Sequence, residues 1–566
     1  MTVVLPKHVF AYDFVSHAPS GQNLYYQFEN GAVKIVHPSN TPGYDGWHMH
    51  TKPSGSLIIP DSVTYNETTY IVSGIGHSAF ANCVDLTSVT IPSSIIRIEA
   101  AAFSGCSGLT SVTIPNSVTY LEGFGFQDCS NLTSVSLSTS MTSINSSTFK
   151  GCSSLTSVTI PQSVTEISYY AFKDCISLSS ITIPNSVTNI LSEAFMGCSS
   201  LTSITIPSSV SNIDKDAFSN CESLTTVNFN ATNCTMGRSY MGNYFTVFGD
   251  NTNITTLNIG DNVIGIPQYA FYGCGGLLSI TIPNSIEHIG AYSFGNCGSL
   301  TTVYFNATNC SGSHIFDNDT SITTLNIGYG VTKIPVYAFP GCSGLTSVTI
   351  PSSVTSIGDC AFYGCTGLTS VNIPSSITEI RARVFGNCSS LDSVFIPNSV
   401  TGIMNGAFVN CTGLSSVVIG NSVTDVWANA FAGCTGIMRM TCNAIIPPLV
   451  WDTNAFDGIS RNIPLYVPTE SINDYRMGYG WSVFANYYGI CGIGDVDGSN
   501  AKAYSVDGRI VVSGADENTV TLYDATGRIQ AIKQSGNQTI TFDVPASGTY
   551  LVQVGAAPAR RIVVMK

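Results

Sequence analysis

The chain has 566 residues, 21 of them basic and 35 acidic, giving a net charge of −14 at pH 7 and an isoelectric point near 4.8. That balance argues against a nucleic-acid partner, which needs a basic stripe. Charged residues are only 10% of the chain, against about 25% in an ordinary globular domain. Solubility must therefore come from serine, threonine and asparagine, and no run of about 18 apolar residues predicts a transmembrane helix.

Residues 1–70 contain no repeat. The start, MTVVLPKHVFAYDF, lacks the basic beginning and full apolar core of a signal peptide. LYYQFENGAVKIVHP predicts a hairpin turning at Asn30-Gly31, a pair suited to a two-residue turn. His48 and His50 are close in sequence, but no third ligand is indicated, so this stretch reads as an exposed loop. The whole segment is expected to cap the open apolar end of the array that begins at residue 71.

Residues 71–445 are a tandem array. Cys83, Cys106, Cys129, Cys152, Cys175, Cys198 and Cys221 stand 23 residues apart, and the step returns from Cys342 to Cys434. A fixed period of this length marks stacked coils. Within one unit, Leu109, Val112 and Ile114 follow an L-x-x-V-x-I spacing, so Ser111 and Thr113 point the other way. Val and Ile flanked by Thr suit a short strand. Pro115 ends it, because proline donates no ladder hydrogen bond. Val118 and Leu121 supply a second inward pair, and Phe126 and Cys129 fill the return. Sixteen coils are marked by phenylalanines from Phe80 to Phe431.

The blocks AFxGCxxLTSVTIPxSVTxI, as in Ala361-Phe362-Tyr363-Gly364-Cys365 and LTSVNIPSSITEI after it, resemble the 23-residue leucine-rich repeat of BspA-like bacterial surface proteins. The resemblance implies a mainly β solenoid of about sixteen coils with N- and C-terminal caps. It also implies an exported protein, held outside the cell or on the outer-membrane surface, that binds host matrix proteins or other bacteria.

Nineteen cysteines invite disulfides, metal or core packing. Most sit at one fixed phase, behind a glycine and ahead of the strand, which favours buried free thiols, since cysteine packs as a small hydrophobe. No C-x-x-C pair suggests zinc. No metal and no cofactor are expected.

The array breaks twice after FNATNC. Residues 235–250 lengthen one coil by seven residues, and Phe248 resumes the pattern with Asn251 at the cysteine phase. After the second FNATNC the next coil is one residue shorter, with Phe316 and Asp319 in phase. The outward strand positions carry serine and threonine, a reading satisfied by solubility and sheet propensity alone. Departures are more informative: Asn228, Asn258, Tyr304, Asn326, Asn372, Phe395 and Val418 replace the threonine. The insertion adds Tyr240, Tyr244 and Phe245, which either fold back over their own loop or bind. Aromatic anchors often dominate interfaces. The candidate ligand-binding residues are therefore Asn228, Tyr240, Tyr244, Phe245, Tyr304, Asn326 and Phe395.

In the last coil Ile437, Met440 and Cys442 hold the L, V and I phases. Residues 446–491 resemble the family's C-terminal cap, with Trp451, Tyr475, Trp481 and Phe484 to cover the open end. Cys491 lies at its edge, and a bridge to Cys442 has no support. GIGDVDGSN, within 492–500, reads as a linker. Asp495-x-Asp497-x-Ser499 echoes a calcium loop, but Val506 stands where a glutamate belongs. Residues 501–566 alternate on a strand period over about seven segments, a small β-sandwich. LYDATGR, PASGTY and the closing Arg560 to Lys566 resemble the C-terminal sorting domain of the type IX secretion system of Bacteroidetes. That resemblance implies secretion machinery as a partner.

Catalysis has little support. The eight histidines are scattered, and no GxSxG, HExxH or P-loop occurs. The reading is an adhesion or ligand-binding surface protein with no enzyme activity. Its alternatives are glycan capture, with Tyr304 and Phe395 as stacking platforms, and a spacer without a specific ligand.

Overall fold

The computed structural model describes residues 12–39, 47, 50–236, 246–249, 251–490 and 494–495. Beyond these it describes 502–506, 509–513, 515, 518–524, 528–534, 539–544, 548–554 and 560–564. The chain forms two compact units, residues 1–300 and 301–566. It is a mainly β solenoid of about 18 turns, only 3% helical.

Unit 1 opens with β1 (Phe14–His17), β2 (Asn23–Glu29) and β3 (Ala32–Val36), joined antiparallel. The β2–β3 turn is Asn30-Gly31, both at positive φ, 51° and 82°. β4 (Gly55–Ile58), β5 (Ser62–Tyr65) and β6 (Thr68–Ile75) follow. β3 then pairs parallel with β6, and β6 with β8 (Arg97–Ile98). β4 pairs parallel with β7 (Leu86–Thr90), the first long strand of the array. The N-terminal segment thus templates both sheets of the coils, and β4 adds a turn ahead of Phe80.

Each coil contributes one strand of three to five residues and one of two. Ser111–Thr113 and Tyr120–Leu121 are one such pair. Register is kept without slip: Val112 faces Val135, Val135 faces Val158, and Val158 faces Ile181. Leu109, Val112, Ile114, Val118, Leu121, Phe126 and Cys129 are all buried. Each such large apolar side chain stabilises by about 1.5–3 kcal/mol, but only where an adjacent coil covers it. From Phe80 to Phe294 the phenylalanines form one stack, with ring centroids 5.1–5.9 Å apart and planes within 16°.

The AFxGC turn links coils through its backbone. The N–H groups of Ala101, Phe103 and Gly105 donate to the carbonyls of Gly123, Gly125 and Gln127 at 2.7–3.0 Å. This alternation requires left-handed backbone at two positions per coil. The position after F-x is Asn82, Gly105, Asp128, Gly151, Asp174 and Gly197 in successive coils, all at positive φ. Glycine, asparagine and aspartate tolerate that region best. The position two before the phenylalanine is also left-handed, yet holds Ala101, Phe124 and Tyr170. There the stacked hydrogen bonds impose the conformation on ordinary residues.

In unit 2 the stack runs from Phe316 to Phe431 and on to Phe456, with centroids 5.2–6.1 Å apart and planes within 18°. The C-terminal cap therefore begins as one more coil. Pro464–Pro468 extends the long-strand sheet in parallel, and Asn486–Ile490 extends it again. Tyr475, Trp481 and Phe484 close the end as the sequence suggests. Trp451 does not: it is 51% exposed and stacks on Trp427 at 4.6 Å. Ile437, Met440 and Cys442 are buried in their expected phases. The closing strands form two four-stranded antiparallel sheets around Ile510, Val512, Leu522, Phe542 and Val552. Gly494–Asp495, inside the stretch read as a linker, already pairs with Lys502–Ala503.

All 18 described cysteines are buried thiols outside any disulfide, and Cys491 lies outside the described residues. Their phase has a second cause besides packing. Cys106 Sγ–H donates to the Phe80 carbonyl one coil back at 3.0 Å, Cys129 to Phe103 at 3.2 Å and Cys152 to Phe126 at 3.1 Å.

Candidate ligand-binding groove

On the long-strand sheet of unit 1 the central side chain of each strand is inward. The flanking Ser111, Thr113, Ser157, Thr159, Ser180 and Thr182 are exposed. Part of this hydroxyl surface is consumed by the stack. Thr110, Thr133 and Thr156, just ahead of the strands, each donate to a threonine carbonyl one coil back at 3.0–3.4 Å. A surface so uniform discriminates poorly among ligands.

The uniform ladder is interrupted after Thr205 and returns at Thr281. Register places Thr205, Asn228 and Asn258 side by side. Asn228 Nδ2 donates to Thr205 Oγ1 at 3.2 Å, and Asn258 Nδ2 donates to Asn228 Oδ1 at 2.8 Å. The bonds run one way, and each amide has a second N–H to offer.

Beside this ladder the segments following the strands enclose a groove of about 520 Å³, within the roughly 300–1,000 Å³ of ligand pockets. Buried Ile181, Ile183 and Pro207 form its floor. Asn185, Ser208, Asn230, Gly260, Asp261 and Asn262 line it, with Thr182 and Thr205 at the strand ends. The groove arises where the repeat loses its proline: Asn230 and Gly260 take the phase that Pro184 and Pro207 hold. Gly260 leaves room for the Asn230 amide, since a Cβ there would meet Asn230 Oδ1 at 2.5 Å and push it aside. Asp261 is exposed and is the one charged side chain among the described lining residues.

In unit 2, Tyr304 is 44% exposed and faces Asn326, which is also exposed. Asn306 covers Gly328 as Asn230 covers Gly260, with 2.5 Å to a Cβ. Phe395 is half-buried beside Val418. That row continues through Thr441 to Tyr466 and Tyr488, whose rings lie 5.5 Å apart. These tyrosines escape sequence reasoning because the cap lacks the 23-residue period. Tyr240, Tyr244 and Phe245 lie outside the described residues. His50 bonds the Tyr25 hydroxyl at 3.1 Å, and among the described residues no group of His, Cys, Asp or Glu is arranged to hold a metal.

A family model for the BspA type leucine rich repeat region, in six copies, matches residues 73–201, 124–244, 244–314 and 309–438. The chain belongs to this family. Among solved structures it is similar to a leucine-rich repeat protein from Bacteroides ovatus ATCC 8483. That likeness has 27% identity over 76% of this chain and 94% of that one, with a TM-score of 0.49. A leucine rich cell surface protein from Faecalibacterium prausnitzii A2-165 also shares 27% identity, over 76% and 95% of the two chains, with a TM-score of 0.37. The pneumococcal vaccine antigen PcpA shares 14% over 84% and 99%, with a TM-score of 0.31. No curated protein matches the chain. Among the described residues of this BspA-type chain, no helix is long and apolar enough to cross a membrane.

Proposed function

We propose that this chain is an exported surface protein that binds protein partners, host matrix proteins or other bacterial surfaces, through the strand faces of its coils. One observation carries the reading. The uniform hydroxyl ladder of unit 1 gives way at Asn228 and Asn258 to bonded amides beside a groove. In unit 2 the equivalent row bears Tyr304, Asn326 and Phe395. Tyr240, Tyr244 and Phe245 join the candidates from the sequence alone. Rigid coils present such groups at little ordering cost, which favours binding. Residues 501–566 are read as an export address, on their resemblance to sorting domains and their separate core.

The test probes the purified chain against arrays of extracellular matrix proteins, bacterial surface proteins and glycans. Protein hits weakened by Asn228→Ala with Asn258→Ala, or by Tyr304→Ala, support the reading. Hits confined to glycans favour sugar capture on Tyr304 and Phe395. Silence in every array leaves a spacer and overturns it.

A further inference from the structure

We infer that the groove of unit 1 takes an extended polypeptide segment bearing a lysine or arginine, with Asp261 as its counter-charge. The inference rests on the protein-binding function proposed for the chain and narrows it to one site and one ligand chemistry.

Charge comes first. Asp261 is the one ionic group among the described lining residues, and no basic side chain stands with it. Together with a net charge of −14, this rejects phosphate, sulfate and carboxylate ligands and selects cations. The amides come second. Asn185, Asn230 and Asn262 line the groove, and Asn228 and Asn258 stand on the adjoining ladder. Each amide offers donor and acceptor together, the complement of a peptide group. Third is the floor of Ile181, Ile183 and Pro207, which suits the methylene stem of a lysine or arginine whose charged head reaches the rim. No aromatic ring is among the described lining residues, so a sugar has no face to stack on, and the peptide is favoured over the glycan. The site is also built in advance. Asn230 is seated over Gly260, and Asn228 is held from both sides, so binding orders few side chains.

The experiment selects a displayed library of random peptides on the immobilised full chain. Enrichment of lysine and arginine is expected. Asp261→Asn should weaken the selected peptides about tenfold, and Asp261→Lys should abolish binding. Higher ionic strength should weaken the wild type and have little effect on Asp261→Asn. Because Asp261 is exposed, both variants should keep the parent thermal transition, which separates lost binding from lost fold. Peptides without a basic bias, or unaffected by Asp261→Lys, overturn the inference while protein hits on the arrays leave the strand-face reading standing. Neutral oligosaccharides that bind in a Ser208- and Asn262-dependent way, where no peptide does, overturn the peptide class. A library yielding no groove-dependent peptide overturns the inference as well.

Discussion

Asn251 Nδ2 donates to the Phe218 carbonyl at 2.6 Å and to the Phe248 carbonyl at 3.0 Å. In the two preceding coils a thiol reaches the carbonyl one turn back: Cys221 to Phe195 at 3.3 Å and Cys198 to Phe172 at 3.2 Å. The cysteine phase is therefore a hydrogen-bonding station between coils as well as a packing position. Asn251→Ala should cost about 1–3 kcal/mol, the range for leaving buried polar groups unsatisfied. Asn251→Cys should recover a good part of that loss. Urea unfolding checks this. Equal destabilisation by alanine and cysteine would show that the thiol's bond contributes nothing.

Gly105 and Asn82 are coupled in the same way. Gly105 sits at φ 71°, and a Cβ there would meet Asn82 Oδ1, the left-handed residue of the coil before. Gly151 with Asp128 and Gly197 with Asp174 repeat the pair. Gly105→Ala should destabilise by about 1–3 kcal/mol through φ strain and by more through the clash. Asn82→Gly should relieve the clash and leave the strain. A double-mutant cycle should return a coupling of about 0.5–3 kcal/mol, and strict additivity would refute the packing account.

Burial pushes the thiols of Cys106, Cys152, Cys221, Cys274 and Cys365 up to about 12. The thiolate is the nucleophile, so these groups stay inert at pH 8. Titration with a thiol reagent should find few reactive groups in the native chain and most of the 19 after unfolding. Bridged peptides linking neighbouring coils in a mass spectrum would contradict it.

The coil was legible because its period repeats each physical decision many times. Leu109, Val112 and Ile114 could be placed inward, and Pro115 made a strand end, from one unit. Asn251 could be put at the cysteine phase, but not on a carbonyl. The groove was not legible. Asn185, Ser208, Asn230 and Asn262 look like ordinary turn residues one coil at a time, and only stacking brings them to one place. The left-handed backbone was not read from the sequence: at glycines it is met by conformational freedom, whereas at Tyr170 and Cys360 it follows from inter-coil bonds with no local signature. Trp451 and Tyr488 belong to a segment without a period, so no phase told their sides apart.

The C-terminal sandwich has its own core of Ile510, Val512, Leu522 and Phe542. Removing residues 501–566 should therefore leave the thermal transition of the solenoid nearly unchanged. A large drop in Tm would show that the sandwich supports the coils.

The N-terminal cap carries a charge network that predicts acid sensitivity. Glu99 accepts from Arg97 at 2.5 Å, from Lys34 at 3.0 Å and from the His77 backbone N–H at 2.9 Å. Lys34 lies on β3 and Arg97 on β8, on either side of β6, so the carboxylate ties the hairpin to the first coils. Burial alone would raise the Glu99 carboxyl, but the bonds from Arg97, Lys34 and His77 outweigh it and hold it below its ordinary value of 4.5. A depressed carboxyl stabilises fully above the unfolded value, and that stabilisation is lost as pH falls through the folded one. Glu99→Gln should therefore cost about 1.5–3 kcal/mol at pH 7, the scale of hydrogen bonds to charged groups. As pH falls below the ordinary carboxyl value of 4.5 the gap should narrow, because protonation of the unfolded chain and then of the lower-lying folded carboxyl removes the charge contribution. Denaturant unfolding of both proteins at pH 7 and pH 3 reads this directly. A gap of the same size at both values would mean that Glu99 acts through shape and not through its charge.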